Sequence, residues 1–379
     1  MRIVHVYKDY APVVGGIENH IRALAEGQAA AGHDVAVLIT HPAQRTRRAR
    51  EHGVRVVRAG RLATIASTPI SPALALALRA EVVDVTHLHA PYPVGEAAWL
   101  AFGRPPMVIS YHSDVVRQRR LAALWAPAQR AVLRRADAII AGSPRLAETS
   151  PFLAPYRGAV HVVPYGIDAK RFALDAAAQR AARARWRPDG AGPDAVLAFV
   201  GRLRYYKGLD TAIEALPRLP GVHLLVVGTG PMGAAWRALA SSRGVQDRIR
   251  WLGDVDDADL PAVLAAADAY VLPASARSEA FGIAMVEGMA AGLPVISTEL
   301  GTGTSWVNED GVTGVVVAPR DPAALAEGVS SVLGDPARRA ALGRAAAARA
   351  RSEFDVAVMG RRIMDIYHAA LARQRPEAR

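Results

Sequence analysis

"AYVLPASARSEAFGIAMVEGMAAGLPVIST", residues 269–298, divides into a strand, a loop, a helix and a second strand. The runs at 269–274 and 294–298 are apolar and of strand length, and between them Ile283, Val286 and Ala290 recur at helical spacing. Gly282 stands where that helix begins, Gly292 just past its end, and Pro294 blocks its continuation. Strands joined by a helix lie parallel in one sheet, so this stretch predicts an α/β fold.

The same rhythm runs along the whole chain. "RIVHVY" (2–7) leads through a glycine loop into a helix from about Ile17 to Ala30, with Ile17, Ile21 and Leu24 on one face. Strand-like runs follow at 34–40, 54–59, 82–89, 107–112, 136–143 and 159–164. After "PYGID" (164–168) the pattern breaks into the Ala/Arg-rich, Gly/Pro-punctuated segment 169–194. It restarts at 195–203, 223–230, 249–255, 269–274, 294–298 and 314–319, and helical segments from Asp321 to about Ala372 close the chain. At 379 residues the chain exceeds what one core ordinarily fills. The expectation is two doubly wound α/β domains, 1–168 and 195–353, a linker at 169–194 and a C-terminal helix within 354–379. Ligands of such sheets sit beyond the carboxyl ends of the strands, and two facing halves would enclose a site in a cleft.

The chain has no cysteine, which excludes disulfides and thiolate metal sites. Its opening apolar run ends at Lys8, too short for a signal-peptide core, and no run of ~18 apolar residues occurs. A cytosolic protein without a membrane span is expected. Net charge is +11, and residues 1–165 carry 20 Lys+Arg against 11 Asp+Glu. The excess gathers in "QRTRRAR" (44–50) and "VVRQRR" (115–120). Such a surface favours nucleic acid, anionic lipid or a diphosphate-bearing substrate, or else reflects an Arg/Ala-rich composition. No aromatic interleaving or recognition motif supports nucleic acid.

The polar residues concentrate at strand ends. Glu279 falls in the loop before the predicted helix and Glu287 in its second turn. On a continuous helix this spacing gives about 12 Å of rise and roughly 80° of rotation, too much for a close acid/base pair. Between them lie the free N–H groups of a helix N-terminus, which bind anions. A phosphate at the tip, with carboxylates on sugar or ribose hydroxyls around it, fits the spacing; so does a solvating Glu279 with Glu287 in a structural network. In "GRLRYYKGLD" (201–210), Gly201 permits close backbone approach while Arg202 and Lys207 bring cations suited to phosphate, or merely to the surface. "VVGTGP" (226–231) reads as a tight turn. In "YAPVVGGIENH" (10–20), Gly15 and Gly16 precede a helix with Glu18 in its first turn. That loop suits phosphate but is neither G-x-G-x-x-G nor a P-loop. His112 of "YHSD" (111–114) ends a strand, as a substrate ligand, a proton-handling group or a structural residue. His87 and His89 share a strand face without a third ligand at metal spacing.

In order and over nearly the whole chain, "GGIE", "YHSD", "PYGID", "VGRLRYYKG", "GTGP", "WLGDV" and "SEAFGIAMVEGMAAGLPVIST" resemble the family 4 glycosyltransferases. The last segment matches that family's E-x7-E signature. The resemblance implies the GT-B fold, with an acceptor-binding N-terminal and a donor-binding C-terminal Rossmann-like domain facing a central cleft. The C-terminal helix would return to the N-terminal domain. It also implies retaining transfer of a hexosyl unit from a nucleotide diphosphate sugar, GDP- or UDP-linked, to a glycan or polyprenyl-linked acceptor. "YHSDVVRQ" and "GTGTSWVNEDGVTG" narrow the likeness to mannosyl- and rhamnosyl-type enzymes of lipopolysaccharide and other surface-polysaccharide assembly.

By this resemblance Arg202 and Lys207 bind the diphosphate, and Phe281, Gly282 and Ile283 offer backbone to the phosphates and donor sugar. Glu287 holds the ribose, Glu279 contacts the donor sugar, His112 lies by the reacting carbon, and Gly15 and Gly16 complete the phosphate pocket. No metal or other cofactor is implied. The basic first half would touch anionic membrane from the cytoplasmic side, and nucleic acid is not an expected partner. One departure stands out: where many relatives carry Gly-Gly followed shortly by Glu, this chain has Gly301-Thr302-Gly303-Thr304-Ser305-Trp306. A sugar-nucleotide epimerase of similar architecture is the rival reading.

Overall fold

The structure, a computed structural model, describes residues 1–13, 15–65, 68–114, 119–188 and 194–374, without the side chains of 119–122. The basic run at 115–120 thus lies outside the described side chains. The chain divides into unit 1, Met1–Gly166 with Val356–Arg379, and unit 2, Ile167–Asp355.

Unit 1 is built on β1 (Arg2–Val6), β2 (Asp34–His41), β3 (Arg47–Glu51) and β4 (Val54–Gly60). A small ribbon of β5 (Ala63–Ile65) and β6 (Thr68–Ile70) stands apart, and β7 (Val85–Ala90), β8 (Met107–Tyr111), β9 (Ala138–Ala141) and β10 (Val160–Val162) complete the main sheet. The order is β10-β9-β8-β7-β1-β2-β4-β3, so the winding reverses at β1, between β2 and β7. Helices α1 (Gly16–Ala30), α2 (Pro72–Ala80), α3 (Pro93–Phe102), α4 (Arg119–Arg135) and α5 (Pro144–Thr149) connect these strands. Every residue of β7 and β8 is buried, as expected of parallel strands covered on both faces. Within the main sheet, among the described residues, only β3 runs antiparallel, against β4. Part of the basic run 44–50 is therefore an exposed edge strand, tied by Arg58 Nη1 to Glu51 Oε1 at 2.6 Å. Charge on such an edge discourages pairing with other chains.

Unit 2 carries β11 (Ala195–Val200), β12 (Val222–Val227), β13 (Ile249–Gly253), β14 (Ala269–Leu272), β15 (Val295–Thr298) and β16 (Gly314–Val317). All pair parallel in the order β13-β12-β11-β14-β15-β16, the dinucleotide-fold winding, which reverses between β11 and β14. The loops "GRLRYYKG" and "SARSEAFG" leave the carboxyl ends of those two strands. The helices are α6 (Ala176–Trp186), α7 (Leu209–Ala215), α8 (Gly233–Ser242), α9 (Leu260–Ala265), α10 (Ile283–Ala290), α11 (Thr304–Val307), α12 (Pro322–Leu333) and α13 (Pro336–Glu353).

The segment read as a linker is not a free connector. Ala and Arg are good helix formers, and 176–186 becomes α6, capped by Asp175 Oδ1 accepting from the Ala178 amide at 2.8 Å. Arg183 and Arg187 tie it to Asp268 of unit 2 at 3.1 and 2.9 Å. The final helix, α14 (Val356–Gln374), belongs to unit 1. Its Met359, Ile363, Ile366, Tyr367 and Ala370 repeat at helical spacing and pack with Ile3, Leu24, Val85, Val108 and Ile140. No helix among the described residues is long and apolar enough to cross a membrane.

Candidate active site

In unit 2 the chain leaves β11 through Gly201, whose φ of +147° suits glycine. A Cβ there would stand 3.1 Å from Lys207 Cε, so the lysine stem crosses the bare glycine. Lys207 is buried, with Nζ 2.8 Å from Oε2 of the buried Glu279. Burial alone would lower the Lys207 pKa, but the Glu279 and Glu287 carboxylates outweigh it and the pKa is raised. Arg202 is exposed on the same loop.

Glu279 lies in the loop ahead of α10. Its carbonyl accepts from Thr302 Oγ1 at 2.9 Å, Ala280 O accepts from the Gly303 amide at 2.9 Å, and Thr302 Oγ1 lies 3.1 Å from Thr304 Oγ1. The turn that departs from the family pattern thus braces the loop carrying Glu279. The helix is capped by Gly282, left-handed at φ +86°, whose carbonyl accepts from the Met285 amide at 2.9 Å, and the Ile283 and Ala284 amides have no preceding helical turn to donate to. Phe281 is buried against Phe354 and Trp306, at 5.9 and 6.5 Å between ring centroids. Glu287 follows one turn into α10, partly buried. Burial first, and then repulsion from Asp257, push its pKa up to about 7 against the opposing Arg171 and Lys207. Gly288 leaves room for the Tyr270 ring, whose hydroxyl donates to Val200 O at 3.2 Å and seats the helix on its sheet. Unit 2 therefore collects a helix N-terminus, a lysine–carboxylate pair and a second carboxylate. Nearby, Asp254 of the 254–256 Asp-x-Asp triplet is engaged, accepting from Thr229 Oγ1 at 3.0 Å.

In unit 1, Gly15 caps α1 and Gly16 is its first residue. A Cβ on Gly15 would overlap Glu18 Oε2, so a carboxylate already folds over the helix tip that the sequence offers to a phosphate. Burial raises the pKa of Glu18. His112, one residue past β8, is buried, and both its ring nitrogens are occupied: Nε2 lies 3.0 Å from His89 Nδ1 and Nδ1 lies 2.8 Å from the Tyr165 hydroxyl. Asp114 is held by the Tyr111 and Ser150 hydroxyls at 2.8 and 2.7 Å.

The sequence argument against a third imidazole beside His87 and His89 does not hold in space. Parallel pairing sets His5 of β1 opposite His87, and His5 Nδ1 lies 3.1 Å from His89 Nε2. The ligand atoms of these three lie within 4.8 Å of one another. Every one of their ring nitrogens nevertheless has a protein partner: His5 Nε2 meets Gln28 Oε1 at 2.8 Å, and His87 meets Tyr367 and Ser110 at 2.5 and 2.8 Å. The His87 and His89 rings stack 4.3 Å apart, so their in-plane lone pairs do not converge. A metal would have to displace that network.

Nothing in the sequence pointed to Gln28, and the stretches holding Tyr165 and Thr302 stood out without their contacts to His112 and Glu279 being readable. Across unit 2, the residues assigned to the donor do gather: Lys207 bridges to Glu279 and feels Glu287, at the start of α10.

Comparison with known proteins identifies the family. A family model described as "Glycosyl transferases group 1" matches residues 182–349, and one described as "Glycosyltransferase Family 4" matches 14–171. The chain is 38% identical over 363 residues to D-rhamnosyltransferase WbpZ of Pseudomonas aeruginosa, covering 93% of this chain and 92% of that protein. It is 37% identical over 341 residues to O-antigen chain mannosyltransferase C of Escherichia coli, covering 88% of each. In fold it is similar to sucrose-phosphate synthase from Thermosynechococcus elongatus, with a TM-score of 0.80 at 23% identity over 98% of this chain and 100% of that one. With two Rossmann-like domains, the E-x7-E stretch at the switch point of the second and these relatives along nearly its full length, the chain belongs to the family 4, group 1 glycosyltransferases of the GT-B fold.

Proposed function

We propose that the chain transfers a mannose- or rhamnose-type hexosyl unit, with retention and without a metal, from a GDP- or UDP-linked donor. The acceptor is a glycan or lipid-linked glycan of cell-surface polysaccharide. The carrying observation is the buried Lys207–Glu279 pair beside the start of α10, with Glu287 one turn in. The rhamnosyl- and mannosyltransferase relatives support the sugar class and the O-antigen context, and favour transfer over an epimerase.

Breaking the anomeric bond leaves a diphosphate and an oxocarbenium-like sugar. Lys207 forms an ion pair with Glu279 at 2.8 Å, and its three N–H donors can also reach phosphate oxygen. Because that pair is nearly neutral, Arg202 and the α10 amides supply the uncompensated positive potential, with the backbone at Phe281, Gly282 and Ile283 against the phosphates. Glu287 accepts from the ribose diol. Glu279, held by Lys207, orients a sugar hydroxyl and is not a free nucleophile. The leaving phosphate takes the acceptor's proton on the face it departs from. His112 lies by the reacting carbon, and Gly15 and Gly16 add backbone to the phosphate pocket.

The exposed Arg47, Arg48 and Arg50 of unit 1 support peripheral contact with anionic membrane at the cytoplasmic face. Salt-sensitive cosedimentation with anionic vesicles tests it, and equal recovery with neutral vesicles removes it. For the main reading, thermal shifts with GDP, UDP and ADP identify the base, because a bound nucleotide stabilises the native state. Lys207→Ala and Glu287→Ala are expected to abolish most transfer while the protein stays folded. Full activity in either sinks the assignment.

A further inference from the structure

Unit 1 buries a row of imidazoles whose hydrogen bonds have one self-consistent direction. Gln28 sits on α1 with Oε1 2.8 Å from His5 Nε2, and its amide nitrogen lies 3.5 Å from the Tyr367 hydroxyl. An amide oxygen only accepts, so His5 carries its proton on Nε2. All these rings are fully buried, and desolvation keeps each of them neutral. A neutral His5 protonated at Nε2 has a bare Nδ1, which must accept from His89 Nε2 at 3.1 Å. His89 Nδ1 is then bare and accepts from His112 Nε2 at 3.0 Å, and His112 Nδ1 accepts the Tyr165 hydroxyl proton at 2.8 Å. The second branch from Gln28 obeys the same rule. Its N–H donates to Tyr367, Tyr367 donates to His87 Nδ1 at 2.5 Å, and His87 Nε2–H donates to the Ser110 hydroxyl at 2.8 Å.

We propose that Gln28, acting through His5 and His89, fixes His112 as the neutral imidazole protonated at Nε2, which makes Gln28, His5 and His89 positioning residues for the transfer. The chain ends on an amide that neither gains nor loses a proton, so it locks a proton pattern and does not conduct protons. The charges bearing on these rings are other imidazoles: His5, His20, His87 and His112 each disfavour a proton on a neighbour. The remaining titratable neighbours are Tyr7, whose ring lies 6.2 Å from His112 and 6.1 Å from His89, together with Tyr165 and Tyr367. With both ring nitrogens engaged, His112 meets a ligand through its ring face and not through a ring nitrogen. A neutral ring places no positive charge beside a carbon that develops cationic character. This consequence rests on the proposed position of His112 by the reacting carbon; the lock itself does not.

The test is nitrogen NMR of the imidazoles in the uniformly 15N-labelled full chain, from pH 6 to 8. Four buried histidines, His112 among them, should show a protonated Nε2 and a bare Nδ1, unchanged across the range. A His112 protonated at Nδ1, or titrating in that window, overturns the proposal without any substitution. Gln28→Met keeps the side-chain volume but removes the acceptor. It should mix the tautomers of His5, His89 and His112 and lower kcat roughly tenfold, with nucleotide affinity unchanged. Gln28→Glu restores the acceptor and should restore both the tautomers and most of kcat. Unchanged tautomers in Gln28→Met defeat the lock. If the tautomers behave as expected but His112→Ala transfers at the full rate, the position of His112 at the sugar falls and the lock stands.

Discussion

Lys207 Nζ lies 2.8 Å from Glu279 Oε2, and both side chains are about nine-tenths buried, at 11% and 10% exposure. Removing one partner of a buried pair strands a charge, at a cost of roughly 3–5 kcal/mol. Lys207→Ala and Glu279→Ala should each lower the denaturant midpoint, and the double variant should be more stable than the sum of the two losses. Donor affinity separates them. If Lys207 contacts the donor phosphates as proposed, Lys207→Ala weakens donor binding, whereas Glu279→Gln keeps a hydrogen-bonding group and should lower mainly kcat. Because the raised Lys207 pKa lies above 10.5, its share of stability is intact below that value and is lost only as pH rises through the folded value. A thermal scan between pH 6 and 8 should therefore show no pH dependence arising from Lys207. Additive losses in the double-mutant cycle would mean that the two groups are not coupled.

Glu287 has a dependence of the same sign in a lower pH window. Its pKa rises from 4.5 to about 7 on folding, so the folded state holds this proton more tightly than the unfolded chain. Stability from that proton is complete below pH 4.5 and is lost as pH rises through 7. Function runs the other way, because an ionised carboxylate accepts from both hydroxyls of a ribose diol and a protonated one from fewer. Nucleoside diphosphate affinity should therefore improve from pH 6 to 8 and then level, approaching tenfold per unit at the low end. Glu287→Gln should flatten that profile, weaken binding at pH 8, and raise the melting temperature there. Calorimetric titration at three pH values checks it, and a flat wild-type profile refutes the role.

Thr302 lies in the 301–306 turn, beside the loop that carries Glu279. Its hydroxyl donates to Glu279 O at 2.9 Å and lies 3.1 Å from Thr304 Oγ1, away from solvent. Thr302→Val removes that donor at nearly constant volume and leaves a buried carbonyl short of a partner, at about 1–3 kcal/mol. The expected result is a several-fold higher KM for the donor with the base preference unchanged, since the loop of Glu279 loosens while the α10 tip stays. Thr302→Ser should retain wild-type kinetics. A Val variant equal to wild type in KM and stability would show that the turn does not brace the loop.

The parts of the fold legible in the sequence were those decided by local pattern. β8, β11 and β12 are buried on both faces and so read as mainly apolar runs, β7 is equally buried although it carries Thr86, His87 and His89, and Gly282 and Gly292 flank α10. Charge and Ala richness hid the rest. β3 is all polar or Ala because it is an edge, and α6 looked like a linker because its buried side is a single alanine, Ala182. Lys207 and Glu279 were each assigned to the donor, but their pairing depends on the chain returning from β12 and β13 to set β14 beside β11. The same holds for His5 beside His87: register between parallel strands far apart in the chain leaves no trace in residue spacing.

Glu18 offers the sharpest check on the glycine loop of unit 1. Its carboxylate folds over Gly15 at the N-terminus of α1, where the helix potential is positive, and desolvation already raises its pKa. A donor phosphate at Gly15 and Gly16 would share that tip with a like charge, which weakens it. Glu18→Gln keeps the shape and removes the charge. If the loop binds phosphate as proposed, nucleoside diphosphate affinity should tighten about threefold to tenfold at pH 8, less at pH 5, where the wild-type carboxylate is closer to neutral. Adenosine without phosphate should bind equally to both proteins. An affinity identical in the two at pH 8 would assign the phosphates to unit 2 alone and leave Glu18 to face the acceptor's hydroxyls, in which case Glu18→Gln would raise the acceptor KM instead.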